Sequence, residues 1–235
     1  MNILRSHATQ KWPIHACLAV GVALLSSCSR KPDPPPAPVQ AAVPSTADER
    51  PKVVILGDSL TAGLGLVDTQ SFPGLLQQKA DRNGFEVEIV NAGVSGDTSA
   101  GGLRRLDWAL QEDVRVLVIA LGANDGLRGL SVGEMKQNIG QIIETARARH
   151  VVVVLAGMEA PPNYGPEYVA SFRQAYRDLA QHHRVQFIPF LLAGVAGESA
   201  LNQPDGIHPN AQGAVIVADT VWEVLEPMLN QMSSS

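Results

Sequence analysis

Two short segments carry side chains that together can hydrolyse an acyl bond. Ser59 stands in Gly57–Leu60 (GDSL), directly after an apolar run, and Asp205 and His208 stand in a polar segment (DGIH) about 150 residues later. A serine hydroxyl becomes an effective nucleophile when a base removes its proton, and an imidazole does this best when a carboxylate orients it. We therefore expect Ser59 as nucleophile, His208 as base and Asp205 as the orienting acid, assembled by the fold.

Each of these residues also has an ordinary structural interpretation. Ser59 and Asp58 both belong to residue types that favour the N-cap of a helix, and we expect Asp58 to bond loop backbone and fix the turn. His208 precedes a predicted helix, where a protonated ring is unfavourable, so function is the better interpretation there. The other histidines lie in the N-terminal segment or at the ends of predicted helices: His7, His15, His150, His182 and His183.

Acyl transfer also needs donors directed at the developing oxyanion. Asn124 follows an apolar run and offers a side-chain amide, and Gly96 offers a backbone N–H with no Cβ in the way. The Ser59 backbone N–H would be the third donor. Taken singly, the glycine segments are ordinary turns and Asn124 suits an Asx turn.

The elements that must position these residues alternate between strand and helix. Apolar, β-branched runs predict five strands, at 53–56, 85–90, 114–120, 151–155 and 185–188. Helical patterns fall at 72–82, 98–111, 132–149, 167–182 and 211–230. This alternation predicts a doubly wound α/β/α sandwich with a parallel sheet. Ser59, the segment 91–96 and the segment 122–125 would then share the carboxyl edge of the sheet, where such folds bind ligands.

The N-terminus predicts export and membrane anchoring. Arg5 and Lys11 precede the apolar run 16–25, which is long enough for a signal-peptide core and short for a membrane span. Leu25-Ser26-Ser27-Cys28 resembles a bacterial lipobox, which implies cleavage before Cys28 and its lipidation; an ordinary secretory signal is the alternative. Ser29 follows, and in Gram-negative lipoproteins a residue other than aspartate there points to the outer membrane.

The segment 28–50 is predicted to be a tether. It carries six prolines among small and polar residues, a composition that cannot bury a core. The chain thus divides into a signal peptide (1–27), a proline-rich tether (28–50) and a hydrolase domain (51–235). Since Cys17 lies in the signal core, Cys28 is the one cysteine left after cleavage, and no disulfide is expected in the domain.

Ser59, Gly96, Asn124 and His208 match, in order and context, the marker residues of the SGNH (GDSL-type) hydrolases. The segments 57–63, 95–98, 122–129, 162–165 and 205–209 resemble the bacterial thioesterase I, arylesterase and lysophospholipase branch. The resemblance implies a flavodoxin-like fold with strand order 2-1-3-4-5. It assigns Ser59, Asp205 and His208 to the triad, and Ser59, Gly96 and Asn124 to the oxyanion hole.

The same resemblance implies small acyl esters, thioesters or lysophospholipids as substrates, contacted by Asp125, Gly126, Leu127, Pro162, Asn163 and Tyr164. No cofactor and no metal are implied, and we expect a monomer. Two positions differ from the common pattern: Ala123 replaces a frequent glycine, and Glu159 stands where relatives often carry an uncharged residue beside the acyl pocket.

Three other functions stay open from the sequence. A carbohydrate O-acetylesterase of the cell envelope uses the same fold. A nucleotide-binding module is disfavoured because the chain lacks a Walker or G-x-G-x-x-G pattern and a basic site, and no nucleic-acid partner is expected. A non-catalytic envelope binding protein is disfavoured by the intact Ser59, Asp205 and His208.

Overall fold

The computed structural model describes residues 50–111 and 113–233, which contain a parallel sheet with helices packed around it. The strands are β1 (Lys52–Gly57), β2 (Glu88–Gly93), β3 (Val114–Ala120), β4 (Val152–Ala156) and β5 (Gln186–Ile188). Their order is β2-β1-β3-β4-β5, and every pairing is parallel. The predicted fold class and strand order are confirmed. The predicted signal peptide, Cys28 and all but the last residue of the tether lie outside the described residues.

Helices cover both faces of the sheet. They are α1 (Ser59–Ala62), α2 (Phe72–Arg82), α3 (Ser99–Arg104), α4 (Leu106–Ala109), α5 (Ala123–Leu127), α6 (Val132–Ala148), α7 (Pro166–His183) and α8 (Ala211–Ser233). Because the chain reverses its direction of winding at β1, right-handed crossovers place α2 on one face and α3, α6 and α7 on the other. In agreement, α2 packs with α8, whereas α6 packs with α3 and α7.

The buried core lies between these layers. Strands β1 and β3 are buried along nearly their whole length, as expected for central strands covered on both faces. Each long helix contributes one apolar stripe: Leu76 and Ala80 from α2, and Ile139, Ile142 and Ile143 from α6, are fully buried. Within the described residues, no helix is both long and apolar enough to cross a membrane.

Strand β2 differs from its predicted position. The apolar run suggested 85–90, whereas the strand spans Glu88–Gly93, and its last three residues pair with Ile55, Leu56 and Gly57 of β1. The strand lies at the edge of the sheet and is only partly buried, so it carries little apolar signal. Position 93 requires a glycine because the backbone of Ala62 passes close by: a Cβ at 93 would lie 2.2 Å from the Ala62 backbone nitrogen.

The helix predicted over 98–111 is broken into α3 and α4 at Arg105, whose φ of −104° and ψ of 9° are not helical. The other boundaries are close to those predicted. Helix α2 and strand β3 match residue for residue, whereas α7 begins one residue earlier than predicted and α8 ends three residues later.

Candidate active site

The nucleophile segment is the sharp turn from β1 into α1. Strand β1 ends at Gly57, Asp58 caps α1, and Ser59 is the first residue of that helix. The Leu60 N–H donates to Asp58 Oδ1 (3.0 Å), which closes the turn. The predicted role of Asp58 as a turn-fixing residue is therefore confirmed, and the turn presents Ser59 at the carboxyl edge of the sheet.

His208 and Asp205 meet Ser59 from the loop that precedes α8. His208 Nε2 lies 2.8 Å from Ser59 Oγ, and His208 Nδ1 lies 2.7 Å from Asp205 Oδ2. The Asp205 Oδ1 atom accepts from the backbone N–H groups of Ile207 (2.9 Å) and His208 (3.0 Å). These backbone donors, and then the His208 ring, lower the pKa of Asp205 to about 2, so this carboxylate is ionised at neutral pH. The structure brings together all three residues of the predicted triad.

The loop after β2 places Gly96 on the wall of a cavity that Ser59 and His208 also line. Gly96 has a φ of +83°, a conformation that favours glycine, and its carbonyl oxygen accepts from Arg128 Nη2 (2.8 Å). Arg128 follows directly after α5, the helix that carries Asn124. One guanidinium therefore joins the two segments that were predicted to form the oxyanion hole.

Asn124 lies in the first turn of α5, and both N–H groups of its amide have acceptors. Its Nδ2 donates to the Asp97 carbonyl oxygen (2.9 Å) and to Asp58 Oδ2 (3.3 Å). The first bond is short and fixes the direction of the amide. The second is long and weak, so the N–H on the Asp58 side is the one that an oxyanion can share without breaking a strong hydrogen bond.

Asp58 is a buried carboxylate, 1% exposed, directly behind the nucleophile. Burial raises the pKa of Asp58 to about 6, against the opposing effects of the Leu60 N–H, the His208 ring and the Asn124 amide. A rise in pKa from 3.8 to about 6 corresponds to about 3 kcal/mol of folding free energy. Because the folded protein binds this proton more tightly than the unfolded chain, the contribution is present below pH 4 and is lost as pH rises through 6.

Asp58→Asn is expected to remove this part of the pH dependence of stability. The wild-type free energy of unfolding should lose about 2–3 kcal/mol from this group between pH 4 and pH 7, and the variant should lose correspondingly less. Asp205 titrates below this range, so it does not mask the difference. Urea denaturation of both proteins at pH 4 and pH 7 measures it. Equal pH dependence in the two proteins would contradict the assignment.

The same substitution should lower activity about tenfold. An asparagine at 58 can still accept from Leu60, but its NH2 group would then face the Asn124 amide, so the hydrogen bond between these two side chains is lost. The expected decrease is in kcat at pH 7.5, measured with p-nitrophenyl butyrate. An unchanged kcat would show that Asp58 does not position Asn124.

Arg105 ties the parts of the site together and was not predicted from the sequence. Its guanidinium donates to the carbonyl oxygens of Gly57 and Ala92 (2.7 Å each) and to Asp97 Oδ2 (2.6 Å). Gly57 ends the strand before the nucleophile, and the carbonyl oxygen of Asp97 holds Asn124. Arg105 is therefore a positioning residue. No sequence signal separates it from Arg104, its exposed neighbour.

Arg105→Met is expected to lower kcat about tenfold with little change in KM, because loss of these bonds loosens the oxyanion donors rather than the acyl pocket. Arg104→Met is the matched control and should stay within about twofold of wild type, as expected for an exposed side chain. Steady-state kinetics with p-nitrophenyl butyrate measure both variants, and circular dichroism checks their folding. Equal effects at the two positions would mean that Arg105 has no special role.

A cavity of about 720 Å³ opens beside Ser59 and His208. Its walls are mostly apolar, and they include Leu60, Met158, Ala160, Pro161, Phe190 and Leu192. Two of the predicted substrate-contact residues, Leu127 and Pro162, line this cavity. An apolar cavity next to a nucleophile suits an acyl chain.

The other four predicted contact residues do not line the cavity. Asp125 is 3% exposed, and it accepts from the Ser99 backbone N–H (2.8 Å) and hydroxyl (2.6 Å), so its role is to hold α3 to α5. Gly126 packs against Phe172 and Ala160. Tyr164 donates from its hydroxyl to the Leu127 carbonyl oxygen (2.8 Å), and Asn163 is exposed in a short 3-10 turn. These four residues lie behind or beside the cavity wall, and their contact with substrate stays a prediction.

Glu159 lines the cavity, as the resemblance implied, and it forms an ion pair with Arg173 (3.0 Å). Both side chains are about two-fifths exposed, so water screens the pair and its contribution to stability is small. Glu159 therefore places a carboxylate on the wall of a mostly apolar cavity.

The remaining histidines of the described region lie away from this cavity. His150 follows α6, and His182 and His183 end α7, where their rings meet edge to face. Burial, followed by the charge of His182, lowers the pKa of His183. Across residues 50–111 and 113–233, no three His, Cys, Asp or Glu side chains cluster as metal ligands.

A parallel α/β sheet with a Ser-His-Asp arrangement at its carboxyl edge defines the class of α/β serine hydrolases. Comparison with known proteins gives the family: residues 55–216 match the GDSL-like lipase/acylhydrolase family, to which this chain belongs. The chain is accordingly a carboxylic ester hydrolase.

Its relatives are named as esterases and thioesterases. The chain is similar to esterase TesA of Pseudomonas aeruginosa, with 42% identity over 75% of this chain and 89% of that protein. It is 36% identical to the thioesterase 1/protease 1/lysophospholipase L1 of Escherichia coli K12, over 77% and 86% of the two chains. The psychrotrophic esterase EstA of Pseudoalteromonas sp., crystallised as inhibited by monoethylphosphonate, superposes with a TM-score of 0.72 at 35% identity, over 76% and 98%.

Proposed function

We propose that the protein hydrolyses acyl esters and thioesters through an acyl-enzyme on Ser59. The observation that carries the proposal is the pair of contacts at His208, 2.8 Å to Ser59 Oγ and 2.7 Å to Asp205 Oδ2. Ser59 Oγ attacks the carbonyl carbon while His208 Nε2 takes its proton. His208 then gives that proton to the leaving oxygen or sulfur. A water molecule, deprotonated by His208, releases the acid and regenerates Ser59.

The oxyanion of both tetrahedral intermediates would be held by three donors: the backbone N–H groups of Ser59 and Gly96 and the side-chain amide of Asn124. Asn124 already has its direction fixed by the Asp97 carbonyl oxygen. Donors fixed in place before the reaction stabilise developing charge without a reorganisation cost. Asp205, ionised at neutral pH, keeps the His208 ring oriented and stabilises the imidazolium that forms.

The apolar cavity supports an acyl chain longer than acetyl as the preferred substrate. Hydrophobic walls contribute about 0.8 kcal/mol for each buried methylene group, whereas an acetyl group would leave most of the cavity unused. This disfavours the carbohydrate O-acetylesterase alternative. The thioesterase and lysophospholipase names of the Escherichia coli relative support the same substrate range.

A panel of p-nitrophenyl esters and acyl thioesters of rising chain length tests this function, with Ser59→Ala as the control. We expect kcat/KM to rise from acetyl toward medium chains and then to level off as the cavity fills. A preference for acetylated sugars over every longer ester would instead favour the O-acetylesterase alternative.

We further propose that the protein is an envelope lipoprotein anchored through Cys28. The support is the sequence: an apolar core of signal-peptide length, the lipobox-like segment Leu25–Cys28 and a proline-rich tether before the domain. The domain then starts at residue 51 and faces the periplasm. Metabolic labelling with palmitate should mark the wild type and not Cys28→Ser. Equal labelling of the two proteins, or none of either, would contradict this location.

A further inference from the structure

Most of the exposed large apolar side chains in the described region lie in segments at the carboxyl edge of the sheet, where the active-site cavity opens. Ten large apolar residues are well exposed in the described region; of these, Trp108 and Val152 lie at the amino edge of the sheet and Val215 lies on α8. Three of the other seven, Leu64, Leu127 and Ile207, line the cavity itself at 41–47% exposure. They come from three different segments at the carboxyl edge of the sheet: Leu64 from the loop after α1, Leu127 from the end of α5 and Ile207 from the loop before α8.

Four more exposed residues extend this group outward: Val67 (62%), Val94 (44%), Leu130 (40%) and Tyr164 (40%). Tyr164 bonds the Leu127 carbonyl oxygen, and its ring lies 5.3 Å from that of Tyr168, whose hydroxyl donates to the Leu130 carbonyl oxygen. Together the seven residues form what we call the apolar rim. Apolar side chains grouped in this way on a soluble protein mark a surface that contacts another phase or molecule.

A lipid surface fits the position of the rim better than a protein partner does. Three rim residues, Leu64, Leu127 and Ile207, line the cavity through which an acyl group must reach Ser59. A second copy of the chain seated on it would close that opening, whereas a bilayer would present acyl chains to it. Exposed Arg128, next to Leu127 in the chain, adds a cation at the rim that suits lipid phosphates.

The length of the preceding chain permits this orientation. Strand β1 begins at Lys52, so the tether joins the amino edge of the sheet, opposite the rim. The 22 residue-to-residue steps from Cys28 to Arg50 reach about 75 Å at most. A domain of this size is about 40 Å across. An anchor at Cys28 therefore lets the domain turn its rim toward the membrane that holds it.

We propose that the apolar rim inserts into the surface of a lipid bilayer and that the enzyme takes acyl substrates from it. This inference rests on the proposed esterase function. The rim then acts as a docking surface, and the cavity continues from the membrane into the protein.

Two serine substitutions at once, Val67→Ser and Leu130→Ser, test the rim without touching the cavity wall. The matched control carries Trp108→Ser and Val152→Ser, which are similarly exposed but lie at the amino edge of the sheet, opposite the rim. Each full-length chain is expressed in a Gram-negative host, purified as processed and added to phosphatidylcholine vesicles containing p-nitrophenyl myristate. Hydrolysis of p-nitrophenyl acetate in buffer serves as the second assay.

We expect the rim variant to hydrolyse the vesicle ester about tenfold more slowly than wild type, while its rate on the soluble ester stays within twofold and the control matches wild type in both assays. Equal rates of vesicle-ester hydrolysis in the rim variant and the wild type would overturn the proposal that the rim docks on a bilayer. So would a wild type that hydrolyses only the soluble ester, or sedimentation showing a rim-dependent dimer. A wild type that does not hydrolyse the soluble ester would instead overturn the proposed esterase function itself.

Discussion

Ser59→Ala should lower the hydrolysis of p-nitrophenyl butyrate by at least about 10⁴-fold. The substitution removes the only hydroxyl that lies within hydrogen-bonding distance of His208 Nε2 among the described residues. His208, Asp205 and the oxyanion donors remain, so any residual rate reports water attack in an otherwise intact site. Because Ser59 begins a short helix whose cap is Asp58, alanine there should not disturb the turn.

Ser95→Ala is the matched control for this loss. Ser95 is an exposed serine on the wall of the same cavity, yet it makes no contact with His208 among the hydrogen bonds of the described region. We expect it to keep most of the wild-type activity. Initial rates over a range of substrate concentrations separate the two variants. Full activity in Ser59→Ala, or equal losses in the two variants, would overturn the assignment of the nucleophile.

Asn124→Ala should lower kcat by about 10²–10³-fold, with KM changed far less. The amide reaches an oxyanion that exists only in the tetrahedral intermediates, so its loss affects the transition state more than the bound ester. The substitution also leaves the Asp97 carbonyl oxygen and Asp58 Oδ2 without this donor. Some loss of stability is therefore expected, and a thermal melt of each variant separates it from the loss of kcat.

Asn163→Ala supplies the comparison for Asn124. Asn163 was predicted to contact substrate, but the structure places it in an exposed turn outside the cavity lining. Its substitution should change kcat and KM less than about twofold. A large loss at Asn163 would show that the loop moves onto the substrate, and a small loss at Asn124 would remove it from the oxyanion hole.

The sequence predicted well those features that follow from local patterns. Continuous apolar runs located the buried strands, and Val114–Ala120 was predicted residue for residue because a central strand is apolar throughout. The three site segments were placed correctly at one edge, since consecutive parallel strands bring their carboxyl ends together. The edge strand was shifted because Asn91–Gly93 pairs through its backbone and carries almost no side-chain signal.

Features that depend on long-range contacts were not predicted from the sequence. Asp125 stands beside Asn124 in the chain, and only the packing of α3 shows that it bonds Ser99 rather than substrate. Arg105 and Arg104 are adjacent and identical in type, and which of them bonds Gly57 and Ala92 depends on where the helix breaks. The residues of the apolar rim likewise come from separate segments that only the fold brings to one edge of the sheet.

The central claim is that Ser59 forms a covalent intermediate, and labelling with a fluorophosphonate measures this directly. Such a reagent bonds to a serine that has been activated as a nucleophile, and it leaves ordinary serines unmodified. The protein is incubated with the reagent at pH 7.5, and the labelled peptide is identified by mass spectrometry. We predict one adduct per chain, on the peptide containing Ser59, with parallel loss of esterase activity and no adduct in Ser59→Ala. An adduct at another residue, or full labelling of Ser59→Ala, would contradict the account.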